Sequence, residues 1–285
     1  MFSKKTLRAE IQTTNGDFII GKSRVINIVD LPMDVEITKV FGAAGLSANI
    51  KIYGASKSVM EAMTRLKWQE YRVPMKAIRI FADDGNGEKL LYEGNIVSAD
   101  PIYNAPNVYI DIQSDAGAYY NLLSDIPPSS LSGTVPVPDI FKKIANDFGV
   151  GFKNNGVVGV CVEPYFGEAG LYNRIRAAAI AHNVDYVIHN KYVEIFPQEN
   201  DFSYHKVWNI TKDYYVGYPR FTDAGIRLTL DTIIDISAGD WFIVNDSEVS
   251  TANGTWVARQ MRFSLSTKLG GKWFMVIDGS TTNVR

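Results

Sequence analysis

The stretch "ANIKIYGASKSVMEAMTRLKW", residues 48–68, changes its hydrophobic period halfway along. Ala48, Ile50 and Ile52 alternate with Asn49, Lys51 and Tyr53, the period-two pattern of a strand with one buried face. After Gly54 the spacing becomes helical. Val59, Ala62, Met63 and Leu66 fall on one face, and Ser58 with Glu61 three residues on reads as a capping box. The stretch therefore predicts a strand running into a short amphipathic helix over 58–67, which defines architecture and carries no chemistry.

Around it, residues 1–115 read as β-rich. "DFIIGKSRVINIV" and "MDVEITKVFG" precede it as strand candidates, and "MKAIRIFADDGNGEKLLYEGNIVSADPIYNAPNVYIDIQS" follows as a meander. Asp84-Gly85-Asn86-Gly87 is hairpin chemistry, because Gly and Asn tolerate positive φ. A second break at "PIYNAP" precedes a strand over 108–112. About six strands and one helix suit a small sandwich or barrel.

The pattern then shifts. "SDIPPSSLSGTVPVPD" holds four of the eleven prolines, which forbids a central strand and places a domain boundary between about 115 and 135. Residues 116–200 read as α/β. In "VPDIFKKIANDFG", Ile140, Phe141, Ile144 and Phe148 share a helix face behind Pro138, and Gly149 is the stop. In "EAGLYNRIRAAAIAHN", Leu171, Ile175, Ala178 and Ala179 form the stripe of a second helix. "VDYVIHN" and "KYVEIF" form a hairpin turning at Asn190-Lys191. Residues 201–285 return to β, with Trp241, Trp256 and Trp273 falling one per strand, as core or cross-strand pairs. The expected fold class is α+β, mostly β, with two β-barrel or sandwich domains, 1–115 and 201–285, flanking a small α/β domain.

Composition restricts the function. With 46% hydrophobic and 21% charged residues the chain has the means to build a core and is not a disordered one. Its 29 basic and 31 acidic residues leave no global attraction for phosphate backbones. The three regions carry 14 basic against 14 acidic, 6 against 8 and 9 against 9. No window reaches the roughly 18 apolar residues of a membrane span, and no export signal is expected. Cys161 is the one cysteine, set in an apolar run as a small hydrophobe, so no intrachain disulfide or cysteine-held zinc is expected.

The sequence has no phosphate loop, dinucleotide fingerprint, zinc-protease motif or nucleophile elbow. His182, His189 and His205 lack partners at ligand spacing, so no catalytic, cofactor-binding or metal site is expected. Glu163 and Glu168, flanking "PYFG", are the pair to test for glycoside hydrolysis, since that reaction needs only two carboxylates across a cleft. A cell-wall hydrolase is thus one alternative. A carbohydrate-binding module that stacks sugars on the tryptophans is another. Tyr214, Tyr215, Tyr218 and Phe221, clustered around Pro219, are the candidate interface.

Several ordered stretches resemble a known family. "ANIKIYGASKSVMEAMTRL" is similar to the strand-then-helix of tail-tube-type domains, and "LLYEGNIVSADPIYNAPNVYIDIQSDAG" to the first domain of the central baseplate hub proteins of phage tails and related injection machines. "SGTVPVPDIFKKIANDFGVGFKNNGV" and "LYNRIRAAAIAHNVDYVIHNKYVEIFP" resemble that family's inserted module. "GYPRFTDAGIRLTL" and "GTWVARQMRFSLSTKLGGKWFMVIDG" resemble its second tube-type domain. The resemblance implies a non-enzymatic homotrimeric ring. Each chain would supply two tube-like domains, matching a six-fold tail tube above to a three-fold spike below, with a channel for DNA. It implies a tail tube protein and a central spike protein as partners, and with them a tape measure protein and the baseplate wedge. It implies a place in the virion tail baseplate after assembly in the host cytoplasm, with no cofactor, no membrane and no sequence-specific nucleic-acid binding.

Overall fold

The opening stretch folds as a strand and a helix, with a different cap. In the computed structural model, which describes residues 5–12, 25–40, 46–64, 76–116, 126–162, 165–167, 170–189, 191–197, 206–223 and 225–281, Leu46–Tyr53 buries Leu46, Ala48, Ile50 and Ile52 and exposes Ser47 and Asn49. Helix α1 spans Lys57–Met63 and buries Met60 and Met63. Its N-cap is Ser56, whose hydroxyl accepts from the Val59 amide at 3.3 Å, so the Ser58–Glu61 box is not the cap. Gly54, at φ +72°, turns the chain at once. The first serine after that turn meets the orphan donors while still extended, which leaves Ser58 inside the first turn. Leu66 lies outside the described residues.

The N-terminal region contributes β1 (Thr6–Gln12), β2 (Val25–Ile28), β3 (Met33–Val40), β4 (Leu46–Tyr53), β5 (Ala77–Asp83), β6 (Lys89–Asn104) and β7 (Asn107–Asp115). Sequence reading passed over β1, although Leu7, Ala9 and Ile11 alternate on its buried face. The hairpin predicted at 84–87 joins β5 to β6. There Asp83 Oδ1 accepts from the amides of Gly85 and Gly87 at 2.7 and 3.1 Å, and both glycines have positive φ, which side chains resist.

The middle segment contributes β8 (Ser129–Leu131), β9 (Val135–Pro136), α2 (Val137–Asp147), β10 (Gly151–Asn154), β11 (Val160–Cys161), β12 (Tyr165–Gly167), α3 (Leu171–His182), β13 (Val184–Ile188) and β14 (Tyr192–Pro197). The predicted stripes of both helices are buried, and Gly149 at φ +67° follows α2 as the stop. These helices pack with the β10-β14-β13 sheet around their own apolar cluster, which includes Phe141, Ile144, Ile175 and Ile195. A fragment of residues 116–200 should therefore fold alone. Cooperative urea unfolding followed by circular dichroism checks this, and a structureless fragment would refute it.

The C-terminal region contributes β15 (Val207–Ile210), β16 (Arg220–Thr222), β17 (Gly225–Leu230), β18 (Trp241–Val244), β19 (Gly254–Ser266) and β20 (Trp273–Ser280). With the N-terminal strands it builds one 13-stranded sheet, ordered β16-β17-β20-β19-β3-β4-β7-β6-β5-β1-β2, with β18 also pairing β19 and β15 pairing β18. The join is the antiparallel pair β3–β19, from Asp34 opposite Ser266 to Val40 opposite Gln260. One apolar cluster runs across it, from Ile50 and Ile110 through Val35 and Ile37 to Phe263 and Phe242.

Candidate functional site

The ends of the sheet order are β16 and β2, and the candidate interface residues gather at β16. Phe221 lies on that strand and Tyr218 and Tyr214 on the segment leading to it, exposed at 53%, 64% and 43%. Val216 joins them at 49%. Tyr215 points the other way: it is half-buried, packs against the main core and bridges Leu230. Tyr218 is steered by its hydroxyl, which donates to Glu248 Oε2 at 3.0 Å. Beyond β2, at the opposite end, Val29 is 52% exposed. Among the described residues neither β2 nor β16 has a strand on its outer side, so each presents unpaired backbone beside apolar side chains.

Across the middle of the sheet the face opposite the core is polar, as strand alternation requires. In register, Ser264, Glu36, Asn49 and Gln113 form one row, and Ser266, Asp34, Lys51 and Asp111 the next. They line a groove of about 590 Å³ closed by the β19–β20 loop. Burial pushes the Asp34 carboxyl up. Donors from Lys268 Nζ (2.8 Å), Ser266 Oγ (2.6 Å) and the Tyr53 hydroxyl (2.9 Å) more than offset this and hold it below the usual carboxylate range. Lys268 also sits 3.3 Å from the Tyr53 ring centroid. The groove's charges balance: Asp34, Glu36 and Asp111 against Lys51, Lys268 and Lys272.

The inserted segment is tied to the sheet through Val187 and Phe196, which join the sheet's apolar cluster, and through polar contacts. Lys191 meets Glu93 at 3.3 Å and Arg259 meets Asp185 at 3.4 Å. The Tyr172 hydroxyl donates to the Ala116 carbonyl and lies 3.3 Å from Asp115 Oδ1. Burial pushes the Asp115 carboxyl up to about 6, against the Tyr172 hydrogen bond. Its folded value lies above its unfolded one, so the folded state binds the extra proton. The contribution is favourable at low pH and is lost as pH rises through about 6. Asp115→Asn should therefore stabilise the protein by about 2–3 kcal/mol at pH 7.5 and by no more than about 0.5 kcal/mol at pH 4, read from urea midpoints at the two pH values. Equal differences at both would refute it.

His182 ends α3. His189 follows β13, stacked on Tyr192 with centroids 4.2 Å apart and 3.8 Å from Glu194, and burial pushes it down to about 4. Glu163, Glu168 and His205 lie outside the described residues. Cys161 is buried. Among the described residues no three His, Cys, Asp or Glu side chains converge as metal ligands, and no helix is long and apolar enough to cross a membrane. Trp241, Trp256 and Trp273 are 2%, 8% and 5% exposed. They are packing residues, and the sugar-stacking platform considered from sequence does not form.

No protein-family model and no curated protein matches the sequence. Solved structures do match its fold. The 43 kDa tail protein of prophage MuSo2 from Shewanella oneidensis superposes with a TM-score of 0.64 at 11% identity, covering 98% of this chain and 97% of that one. A tail protein from Neisseria meningitidis MC58 gives 0.63 at 11%, covering 98% and 96%. The E. coli c3393 protein gives 0.61 at 8%, covering 87% of this chain and 73% of its own. That protein is a type VI secretion component with structural similarity to the T4 tail proteins gp27 and gp5. Over nearly its whole length the chain therefore has the fold of phage tail proteins, the fold that its resemblance to baseplate hub proteins implies.

Proposed function

We propose that this protein is a structural, non-enzymatic component of a phage tail baseplate, a hub that closes into a homotrimeric ring between tail tube and spike. The observation that carries the reading is the sheet. Strands from both β regions join through β3–β19 into one sheet whose long order ends, among the described residues, at β2 and β16, with exposed apolar side chains at each of these ends and β15 as a further edge beside β18. Unequal ends that pair head to tail make a heterologous contact, which closes into a ring when the rotation allows. The β16 edge of one protomer would meet the β2 edge of the next, covering Tyr214, Tyr218 and Phe221.

The polar sheet face supports the channel part of the reading. Its groove pairs three carboxylates with three lysines, so passing DNA would meet hydrogen-bonding groups without a basic excess to hold it. The tail tube, the spike and the virion location come with this reading. Light scattering on the purified chain should give three times 31.7 kDa, or that mass plus the bound spike where the ring closes only on the spike protein. A chain that stays monomeric and binds neither spike nor tube protein at micromolar concentration would defeat the proposal.

A further inference from the structure

A second cavity, of about 550 Å³, lies where the inserted segment meets the large sheet, and the assembly reading makes no use of it. Its distinguishing residue is Lys39. On β3 the side chains of Met33, Val35 and Ile37 enter the core, and Lys39 is next on that same face. Its Nζ lies 5.3 Å from the ring centroid of buried Phe263. Among the described residues no carboxylate stands within 4 Å of it. Asp235 attracts it only from farther away and meets Lys206 at 3.9 Å. Lys39 is half-buried on the cavity wall, and burial pushes its ammonium down to about 8. At neutral pH the group is still mostly charged.

The carboxylates of the cavity wall are already engaged. Glu93 is held by Arg79 at 2.7 Å and Lys191 at 3.3 Å. Glu194 is held by Lys153 at 3.4 Å, with the His189 ring at 3.8 Å and the Asn155 amide at 3.2 Å. Asp240 accepts from the Ser237 amide at 2.8 Å and Trp208 Nε1 at 3.2 Å. Of the lysines on this wall, Lys39 is the one with no carboxylate within 4 Å among the described residues. The wall also carries apolar side chains, among them Leu46, Leu91, Val187 and Phe196, beside its charged ones. The volume lies in the range of small-molecule sites.

We propose that this cavity binds an organic monocarboxylate with an apolar body, the carboxylate on Lys39 Nζ and the body against Leu91, Val187 and Phe196. A phosphate fits less well, since its second charge would face Glu93, Glu194 and Asp240, and the other lysines of the wall, Lys153, Lys191 and Lys206, are each shared with a carboxylate. The site is independent of the hub reading, because each protomer holds all of it.

The test uses the full chain and 3-phenylpropionate, titrated by calorimetry. Binding is expected with a Kd on the order of 1 mM for a ligand this small. Lys39→Met should weaken it at least tenfold, 3-phenylpropionamide should not discriminate between the two proteins, and inorganic phosphate should not compete. Reductive methylation of the wild type, read by mass spectrometry, gives a second measure that needs no variant. The carboxylate should protect Lys39 and leave the exposed Lys57 of α1 unprotected. Equal binding by wild type and Lys39→Met, competition by phosphate, or no protection of Lys39 at about 20 mM ligand would each overturn the proposal. If Lys39→Met does not fold, the protection measurement decides.

Discussion

Phe242→Ala should destabilise the protein by about 3–5 kcal/mol, a large share of the roughly 5–15 kcal/mol that holds a domain together. Phe242 is fully buried on β18, in the cluster that spans the β3–β19 join. Its ring fills the space left open by Gly279: a Cβ built there would stand 2.5 Å from Phe242 Cζ and 3.3 Å from Ile226 Cγ2. Removing the ring leaves a cavity that strands on both sides cannot close without breaking register. The same geometry makes Gly279→Ala costly by about 1–3 kcal/mol through overpacking. The two changes should be non-additive, because the space emptied by the first accepts the methyl of the second. Urea denaturation of the four proteins of this cycle measures it. A double variant as unstable as the sum of the singles would show that the ring and the glycine are not packed as described.

Charge placed on the β16 edge should abolish assembly while leaving the fold intact. Tyr218 and Phe221 are more than half exposed in the single chain, so aspartate at both positions should change monomer stability by no more than about 0.5 kcal/mol. In a head-to-tail ring each aromatic would be covered. Losing that burial costs about 1.5–3 kcal/mol per side chain, before the penalty of a carboxylate against apolar neighbours. Two substitutions at every interface should therefore raise the dissociation constant by about 100-fold or more. Light scattering should then report 31.7 kDa where the wild type gives three times that mass. Ile180→Asp is the control. Ile180 is 69% exposed on α3 of the inserted segment and belongs to neither terminal strand of the sheet, and its replacement should leave the ring whole. Dissociation by the control and not by the edge pair would place the interface on the inserted segment.

The sequence by itself determined the local features, because local spacing is what they depend on. Alternation in "ANIKIYG" assigned each side chain of β4 to a face, the periodic stripes of α2 and α3 are the buried ones, and the hairpin at 84–87 follows from Asp83 and two glycines. Lys39 stands in phase with Met33, Val35 and Ile37, and nothing local says that the end of that face opens on a cavity. The cap of α1 was missed by two residues because Ser56 and Ser58 are both competent, and only the turn at Gly54 decides which is still extended when the helix begins. Partnership was decided by the tertiary structure. Periodicity names the face of a strand and never its neighbour, so the pairing of β3 with β19, more than 200 residues away in sequence, could not be read from either strand. For the same reason the three tryptophans went inside and Tyr218 and Phe221 stayed out. Aromatic content is the same on both sides of that divide; what separates them is that β18, β19 and β20 have strands on their flanks, while β16 ends the sheet.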